Sequence, residues 1–263
     1  MTPEELLDRV KAGQIPSAST EPPPSPLAQC GLDNVDCPNC HNTGIITFEK
    51  DGYLYSRECD CMPRRRSLRE LKKSGLEQLA EQYSFDNYLA DNPLSSSLLH
   101  YAKKYIDDAP KWFLVSGRPG SGKSHICTAI CLELISRGHR VIYMLWRDES
   151  VRLKSSVTQE PEYYRQRMDQ LKRAEVLYID DFFKGSASDA DVRLAFELIN
   201  YRYTQPSCRT IISTELDFAS LRKIDDALAR RIYERSEGYR RRSPERNYSY
   251  EKAQTDSTKN YCI

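Results

Sequence analysis

One stretch in the middle of the chain has the residue types and spacing of a phosphate-binding loop. Residues 117–124 (GRPGSGKS) fit the pattern G-x-x-x-x-G-K-[ST] at every position, between an apolar run and an amphipathic one. Glycines let backbone N–H groups turn inward around a β-phosphate, and the start of the following helix adds positive potential. Lys123 is expected to reach the β- and γ-phosphates, and the Ser124 hydroxyl to hold Mg²⁺. The predicted nucleotide-binding residues are Gly117, Arg118, Pro119, Gly120, Ser121, Gly122, Lys123, Ser124 and His125.

A pair of carboxylates further along the chain has the pattern of the second half of such a site. Residues 176–181 (VLYIDD) form an apolar strand that ends in Asp180 and Asp181. We expect Asp180 to bind the Mg²⁺ shell and Asp181 to orient or deprotonate the attacking water. An ordinary acidic turn has the same composition, but the phosphate loop upstream favours hydrolysis of ATP.

Four of the nine cysteines fall in one short stretch, as Cys37-x-x-Cys40 and Cys59-x-Cys61. Between the pairs lie two β-rich runs joined by Asp-Gly at 51–52, which predicts a hairpin. A hairpin that joins two close pairs brings four thiolates together, as structural Zn²⁺ requires. In so small a module the metal supplies much of the folding free energy. The sequence therefore predicts a zinc-ribbon-like module.

The cysteine motif has alternatives. Residues 37–41 (CPNCH) also match C-x-x-C-H, the attachment pattern of c-type haem. Zinc is favoured because haem attachment requires export, no signal peptide is apparent, and haem leaves the second cysteine pair unexplained. Cys30 and His41 are alternative ligands. The module could dock a protein, or it could contact nucleic acid through Arg57 and the arginines at 64–66.

The elements that must position these motifs alternate between strand and helix from about residue 95 onward. Such alternation indicates an α/β fold with a mostly parallel sheet flanked by helices. Apolar runs predict strands at 112–116, 141–146, 176–179 and 210–213, and helices at 124–137 and 190–203.

Changes in composition and a proline-rich linker divide the chain into five predicted segments. Residues 2–13 form an amphipathic helix, which is either a frayed tail or a docking helix for a partner, before a Pro/Ser-rich linker. The segments are 1–28 (helix and linker), 29–63 (zinc-binding module), 64–94 (linker helix and entry strap), 95–250 (ATPase core) and 251–263 (flexible tail).

The bulk composition bounds the class of protein. The chain has 263 residues, 29% of them charged, with a net charge of +1. No run approaches the roughly 18 apolar residues of a membrane span, so we expect a cytoplasmic protein without membrane partners. Overall neutrality argues against a purely electrostatic nucleic-acid binder and leaves room for a local groove.

Taken together, the motifs resemble helicase loaders of the DnaC/DnaI type within the AAA+ superfamily. The resemblance covers roughly residues 75–250, and a cysteine module ahead of the core resembles the DnaI branch and its phage relatives. It rests on the phosphate loop, Asp180-Asp181, 83–88 (YSFDNY), 200–203 (NYRY) before 210–214 (TIIST), and 227–232 (ALARRI).

The resemblance implies further site residues. Arg231 is the arginine finger that reaches the γ-phosphate of a neighbouring subunit, with Arg230 as the adjacent alternative. Ser213 and Thr214 fall at the sensor-1 end of the fourth strand, where they would position the attacking water. The family often has Asn just after them, but this chain has Glu215, which leaves sensor 1 open.

The resemblance also bears on the base and on the outline of the domain. Tyr83 and Phe85 lie near the adenine, although core aromatics of an entry strap would have the same composition. Asp181 is shorter than the usual glutamate of AAA+ proteins, which implies slow hydrolysis. We expect no α-helical lid, because the chain ends soon after Arg246.

Basic and aromatic residues suggest a single-stranded DNA surface. The stretch from Trp146 to Lys154, with Arg165 and Arg167, interleaves arginines with the rings of Trp146, Tyr163 and Tyr164. Arginines track phosphates and rings stack on bases in such surfaces. A solvated helix face has the same composition, so both interpretations stay open.

Three functions fit these predictions. The first is a helicase loader that binds ATP, a replicative hexameric helicase and single-stranded DNA, and associates with itself through the arginine finger. The second is a transposase-helper ATPase of the IstB type, which shares this core. The third is an ATP-binding adaptor that does not hydrolyse its nucleotide.

Overall fold

The computed structural model describes residues 36–73, 77–80, 82–108, 111–185 and 187–244. The predicted N-terminal helix and linker, Cys30, Arg246 and the tail from residue 251 lie outside the described residues. The chain divides into two compact units, with the boundary in the sequence between Met62 and Pro63, and each is described by itself. Across the described ranges, no helix is both long and apolar enough to span a membrane.

The first unit contains the predicted hairpin. Strands β1 (Ile45–Lys50) and β2 (Tyr53–Glu58) pair antiparallel, with Lys50 opposite Tyr53. Asp51 and Gly52 both have positive φ, at 53° and 78°, as a tight two-residue hairpin turn requires. Neither strand has a buried side chain, and the centre of this unit is the cysteine cluster.

The second unit is built on a five-stranded parallel sheet, which confirms the predicted α/β class. Its strand order is β4-β5-β6-β3-β7. The strands are β3 (Trp112–Ser116), β4 (Val141–Leu145), β5 (Val176–Asp180), β6 (Arg209–Thr214) and β7 (Arg240–Arg242). The helices are α1 (Met62–Lys73), α2 (Glu77–Ala80), α3 (Pro93–Asp107), α4 (Lys123–Ser136), α5 (Trp146–Gln159), α6 (Pro161–Arg173), α7 (Asp189–Tyr203), α8 (Phe218–Ile224) and α9 (Asp226–Arg235).

Both faces of the sheet are covered. Side chains alternate along a strand, so Phe113 and Val115 pack into one buried cluster while Trp112 and Leu114 pack into the other. Covering both faces explains why the central strands are continuous apolar runs.

Two details of the sheet differ from the prediction. Strand β4 ends at Leu145, and Trp146 is the first residue of α5, not the last residue of the strand. Strand β7 was not predicted, because three consecutive arginines carry no strand pattern. It forms by parallel pairing with β3, with Leu114 opposite Arg240, and it lies at an edge, where charged side chains are tolerated.

A fully buried arginine joins α6, α7 and β6. Arg202 donates hydrogen bonds to the carbonyls of Leu171, Lys172, Ala174 and Arg209 and to the Thr210 hydroxyl. These bonds satisfy carbonyls that the end of α6 leaves without helical partners. Burial lowers the pKa of Arg202 to about 10. The arginine of the NYRY motif is therefore a structural residue.

Replacing Arg202 with Met is expected to lower the free energy of unfolding by about 3 kcal/mol or more, because several buried carbonyls lose their donor together. Urea denaturation followed by fluorescence measures this, since both tryptophans of the chain, Trp112 and Trp146, lie in the core unit. Arg173→Met is the matched control: Arg173 is exposed and pairs with Asp169. Equal losses in the two variants would contradict the role of Arg202.

Candidate nucleotide site and candidate metal centre

The phosphate loop joins β3 to α4 in a backbone conformation that requires glycine. Gly122 caps the start of α4 with a φ of 84° and, as a glycine, makes no side-chain cap hydrogen bond. The first N–H groups of α4 therefore have no side-chain cap and can bind an anion. A Cβ at Gly117 would lie 2.0 Å from the Ser243 Oγ, so no larger residue fits there.

Lys123 and Ser124 connect the loop with β5. The Lys123 Nζ donates to the carbonyl of Arg118 at 2.7 Å, so the buried lysine folds back over its own loop. Burial lowers the pKa of Lys123, and the negative charges of Glu215 and Asp181 oppose that shift. The Ser124 Oγ donates to Asp180 Oδ1 at 3.1 Å. A hydroxyl and a carboxylate at this separation fit the ligand set of a Mg²⁺ bound with ATP.

Asp180 is the centre of a hydrogen-bond network. Its Oδ1 accepts bonds from Ser124, from the Ser213 hydroxyl and from the backbone N–H of Asp181. Its Oδ2 accepts from the Tyr143 hydroxyl at 3.3 Å. Burial and the Asp180 charge raise the pKa of Tyr143 above its ordinary value. These contacts orient the carboxylate that the loop serine faces.

Tyr143 is a site residue that sequence reasoning missed. It lies on β4 opposite Tyr178 of β5, two residues before the register position of Asp180. Its signal in the sequence is weak, since a tyrosine in an apolar strand is common and the contact depends on strand order.

Asp181 lies in a strained turn beside the network. Its φ is 52° and that of Phe183 is 56°, in a region that residues other than glycine rarely adopt. The turn is anchored because the rings of Phe182 and Phe183 pack on Trp146 at 4.8 and 5.2 Å. Phe182 also donates its backbone N–H to the carbonyl of Ser213 at 2.8 Å. These contacts hold the strained turn, and with it Asp181, against the end of β6.

The two predicted sensor residues differ in what they contact. The Thr214 Oγ1 is buried, donates to the carbonyl of Phe182 at 2.8 Å and accepts from the N–H of Leu216 at 3.1 Å. Backbone groups therefore occupy the Thr214 hydroxyl. Ser213 contacts Asp180 and accepts from the N–H of Asp181 at 3.0 Å. Thr214 holds the turn, and Ser213 supplies the polar contact to the acidic pair.

The end of β7 closes over the phosphate loop. The hydroxyls of Ser243 and Ser121 are hydrogen bonded at 2.6 Å. The backbone N–H of Ser243 donates to the carbonyl of Ser116 at 2.8 Å. Sequence reasoning missed Ser243, because a serine 122 residues beyond Ser121 has no local signal.

His125 and Phe85 have partners within the chain. The His125 Nε2 is 2.8 Å from the carbonyl oxygen of Ser84, and its ring stacks on Tyr83 at 4.8 Å. Burial lowers the pKa of His125. Phe85 is half-buried against the core, with the Lys103 ammonium 5.7 Å from its ring centroid. The strap from residue 83 is thereby attached to the start of α4.

The two candidate finger arginines lie on α9. The guanidinium of Arg231 lies over the rings of Phe196 and Tyr203, at 4.8 and 5.8 Å from their centroids. Arg230 is exposed and pairs with Asp226 at 2.7 Å. In the described part of the chain, no contact joins either arginine to Asp180 or Asp181.

One of the three aromatic residues of the predicted DNA surface is buried. Trp146 is only 3% exposed and packs on Phe182 and Phe183, so its predicted role in base stacking is wrong. The cause is that Trp146 begins α5 and faces the core. Arg167 donates to both carboxylate oxygens of Glu149, at 2.7 and 3.1 Å. The Arg152 guanidinium lies 4.4 Å from the centroid of the Tyr163 ring.

The four predicted zinc ligands meet in the first unit. The Sγ atoms of Cys37, Cys40, Cys59 and Cys61 all lie within 4.8 Å of one another. Two of the sulfur–sulfur distances, Cys37–Cys59 and Cys40–Cys61, are 3.7 Å. Zinc–sulfur bonds of about 2.3 Å give a tetrahedron with edges of about 3.8 Å, so the cluster fits Zn²⁺. A backbone hydrogen bond from Cys40 lowers the pKa of the Cys37 thiol to about 7.

Comparison with known proteins gives a consistent family. A family model described as IstB-like ATP binding protein matches residues 48–254. The phage-like element PBSX protein XkdC of Bacillus subtilis (strain 168) is 27% identical over 253 residues, which cover 90% of this chain and 91% of XkdC. The replicative helicase loader DnaC of Escherichia coli (strain K12) is 26% identical over 137 residues, which cover 51% of this chain and 56% of DnaC.

A solved structure agrees at the level of the fold. The crystal structure of a DnaC helicase loader superimposes with a TM-score of 0.57 at 22% identity and covers 64% of this chain and 99% of that chain. In this chain that fold is the parallel sheet whose strand β3 leads into the phosphate loop. With the family match over residues 48–254, this chain belongs to the IstB/DnaC-like family of AAA+ ATP-binding proteins.

Proposed function

We propose that this chain is a helicase loader of DNA replication that binds ATP and hydrolyses it slowly. The observation that carries the proposal is the junction of the phosphate loop and the acidic pair. The Ser124 Oγ lies 3.1 Å from Asp180 Oδ1, beside the buried Lys123. Relatives that cover most or half of this chain include a phage-element protein and the DnaC loader of Escherichia coli.

Each group at the junction has a role in this proposal. Lys123 and the first N–H groups of α4 bind the phosphates, while Ser124 and Asp180 hold Mg²⁺, which neutralises phosphate charge when bound. Asp181 orients the attacking water from the strained turn. Because aspartate has the shorter arm, hydrolysis is slow, as suits a timing switch.

The first unit is proposed to dock the replicative helicase. Its hairpin exposes large apolar side chains: Tyr53 is 70% exposed and Leu54 78%, with Phe48 and Tyr55 stacked at 5.8 Å. Exposed apolar clusters of this kind mark interaction surfaces, and aromatic residues dominate such interfaces. Zinc holds the hairpin in shape for that contact.

Single-stranded DNA is the second proposed ligand of the loader. With Trp146 buried, the support comes from Arg152 with Tyr163, and from Arg147 and Arg165, whose side chains are exposed on α5 and α6. Arginines beside a ring suit phosphates and bases of a single strand.

Co-purification and turnover test this function together. With an ATP analogue, the tagged chain is expected to retain the replicative helicase from a cell extract, and single-stranded DNA is expected to raise ATP turnover.

Asp181→Asn is expected to keep nucleotide binding and to lose about 10-fold or more of the turnover. Capture of a transposase in place of a helicase would favour the IstB-type alternative, which the family model also supports. Equal turnover in both proteins would refute the ATPase and favour the adaptor.

Self-association through Arg231 is a separate proposal with its own test. Arg231→Ala is expected to leave ATP binding intact and to lower turnover of the assembled protein by about 100-fold or more, because a finger neutralises charge in phosphoryl transfer. Arg230→Ala is the matched variant, since Arg230 is exposed and paired with Asp226. A loss in the Arg230 variant alone would move the finger to that residue. Full activity in both variants would exclude it.

A further inference from the structure

A lysine bridges two carboxylates at the edge of the nucleotide site. The Lys184 Nζ lies 2.8 Å from Asp181 Oδ2 and 3.4 Å from Glu215 Oε1. The two carboxylates come from different strand ends, since Asp181 follows β5 and Glu215 follows β6. Lys184 therefore links the predicted water-orienting residue with Glu215, the residue that leaves sensor 1 open.

The backbone around this bridge is held in place on both sides. The Thr214 hydroxyl donates to the carbonyl of Phe182, and the backbone N–H of Phe182 donates to the carbonyl of Ser213. These two hydrogen bonds join the turn to the end of β6. Phe182 and Phe183, which belong to the turn, are buried in the core and fix its position. Because the backbone is anchored, the part free to move is the long Lys184 side chain, which is 43% exposed.

The second carboxylate holds the lysine less closely than the first. Glu215 Oε1 is buried and makes no hydrogen bond in the described residues, and the ammonium at 3.4 Å is beyond a close contact. Burial lowers the pKa of Lys123, and the negative charge of Glu215 opposes that shift, so the charge of Glu215 acts on Lys123 as well as on Lys184. Glu215 is a second carboxylate with which the Lys184 ammonium can pair more closely.

We propose that Lys184 is a positioning residue that restrains ATP hydrolysis by occupying Oδ2 of Asp181, the proposed water-orienting residue, and that Glu215 is the acceptor to which its ammonium moves. The proposal rests on the ATPase function proposed above. A water bound to Asp181 and the ammonium compete for the same Oδ2. Moving the lysine to Glu215 frees that oxygen without breaking the strained turn.

Replacing Lys184 and replacing Glu215 are expected to have opposite effects on ATP turnover. Lys184→Met is expected to raise kcat about two- to fivefold at unchanged KM, the range that the free energy of an exposed ion pair allows. Glu215→Gln removes the competing charge, leaves Lys184 on Asp181, and is expected to lower kcat by a similar factor. The double variant is expected to match Lys184→Met, because Glu215 acts through the lysine. Lys172→Met, which removes a lysine paired with Glu197 between α6 and α7, is the control.

A measurement made without nucleotide tests the ion pairing of Lys184 separately from ATP hydrolysis. At fixed pH, an amine-acylating reagent is expected to label Lys184 about twofold faster or more in the variant that lacks both carboxylates (Asp181→Asn with Glu215→Gln) than in the unmodified protein, measured by peptide mass spectrometry, because an ion-paired ammonium reacts slowly. Lys172 serves as the internal reference. Equal labelling, or a lower kcat in Lys184→Met, would overturn the restraint. Absence of turnover in every protein, including the unmodified one, would instead overturn the ATPase itself.

Discussion

Lys123→Ala is expected to lower the affinity for ATP by about 100-fold or more while the core stays folded. The variant lacks the ammonium that is expected to contact two phosphates, and each such charged contact is worth about 1.5–3 kcal/mol. The fold is retained because the hydrogen bond that Lys123 makes within the chain goes to the carbonyl of Arg118, in its own loop. Titration with a fluorescent ATP analogue measures the affinity, and fluorescence of the two core tryptophans reports folding.

The control for Lys123 is Lys172→Ala, which removes a partly buried lysine paired with Glu197 and is expected to leave affinity unchanged. An affinity for ATP in Lys123→Ala within about threefold of the unmodified protein would refute the nucleotide site. A loss in both variants would point to general destabilisation, which the tryptophan signal would show.

Replacing Cys37 and Cys40 with Ser is expected to remove bound zinc, near one ion per chain, and to unfold the hairpin unit. The strands there have no buried side chains, so the metal–thiolate bonds supply the stability, of the order of 10–16 kcal/mol in small zinc modules. Metal analysis measures the zinc, and limited proteolysis within residues 45–58 is expected to become faster. ATP affinity is expected to stay the same, because the phosphate loop lies in the other unit.

Cys208→Ser is the matched control for the zinc ligands, since Cys208 is also buried but lies outside the cluster of four. It is expected to keep both the metal and the resistance of the hairpin to proteolysis. Zinc retained at the original stoichiometry in the double variant would show that other residues hold the ion.

The parts of the molecule that sequence could predict are those whose cause is local. The phosphate loop, the Asp180-Asp181 strand end and the Asp-Gly turn are short patterns whose backbone needs specific residues. The cysteine cluster belongs with them, because a tight hairpin turn brings its two pairs together. The order of strands and helices followed from hydrophobic periodicity for the same reason.

What sequence could not predict depends on which strands become neighbours. Tyr143 reaches Asp180 because β4 and β5 pair, and Lys184 reaches Glu215 because the ends of β5 and β6 meet. Trp146 was misplaced because an aromatic residue at the end of an apolar run fits a strand as well as the first turn of a buried helix. Tertiary packing decided between the two.

The NYRY motif shows a further limit of pattern reading. It helped to suggest the family, yet its arginine stabilises the junction of α6 and β6 and does not contact the nucleotide site in the described residues. A signature of this kind reports that a chain folds in the same way, and it carries no information about what the chain hydrolyses.

The contact of Ser243 with Ser121 has a practical consequence for dissecting this protein. Two distant parts of the sequence shape the phosphate pocket. Strand β3 ends at Ser116 and β7 begins only at Arg240, but the two strands are neighbours in the sheet. An expression fragment designed around the glycine-rich loop, however generous on its amino-terminal side, must therefore extend past Ser243 to enclose a complete nucleotide pocket.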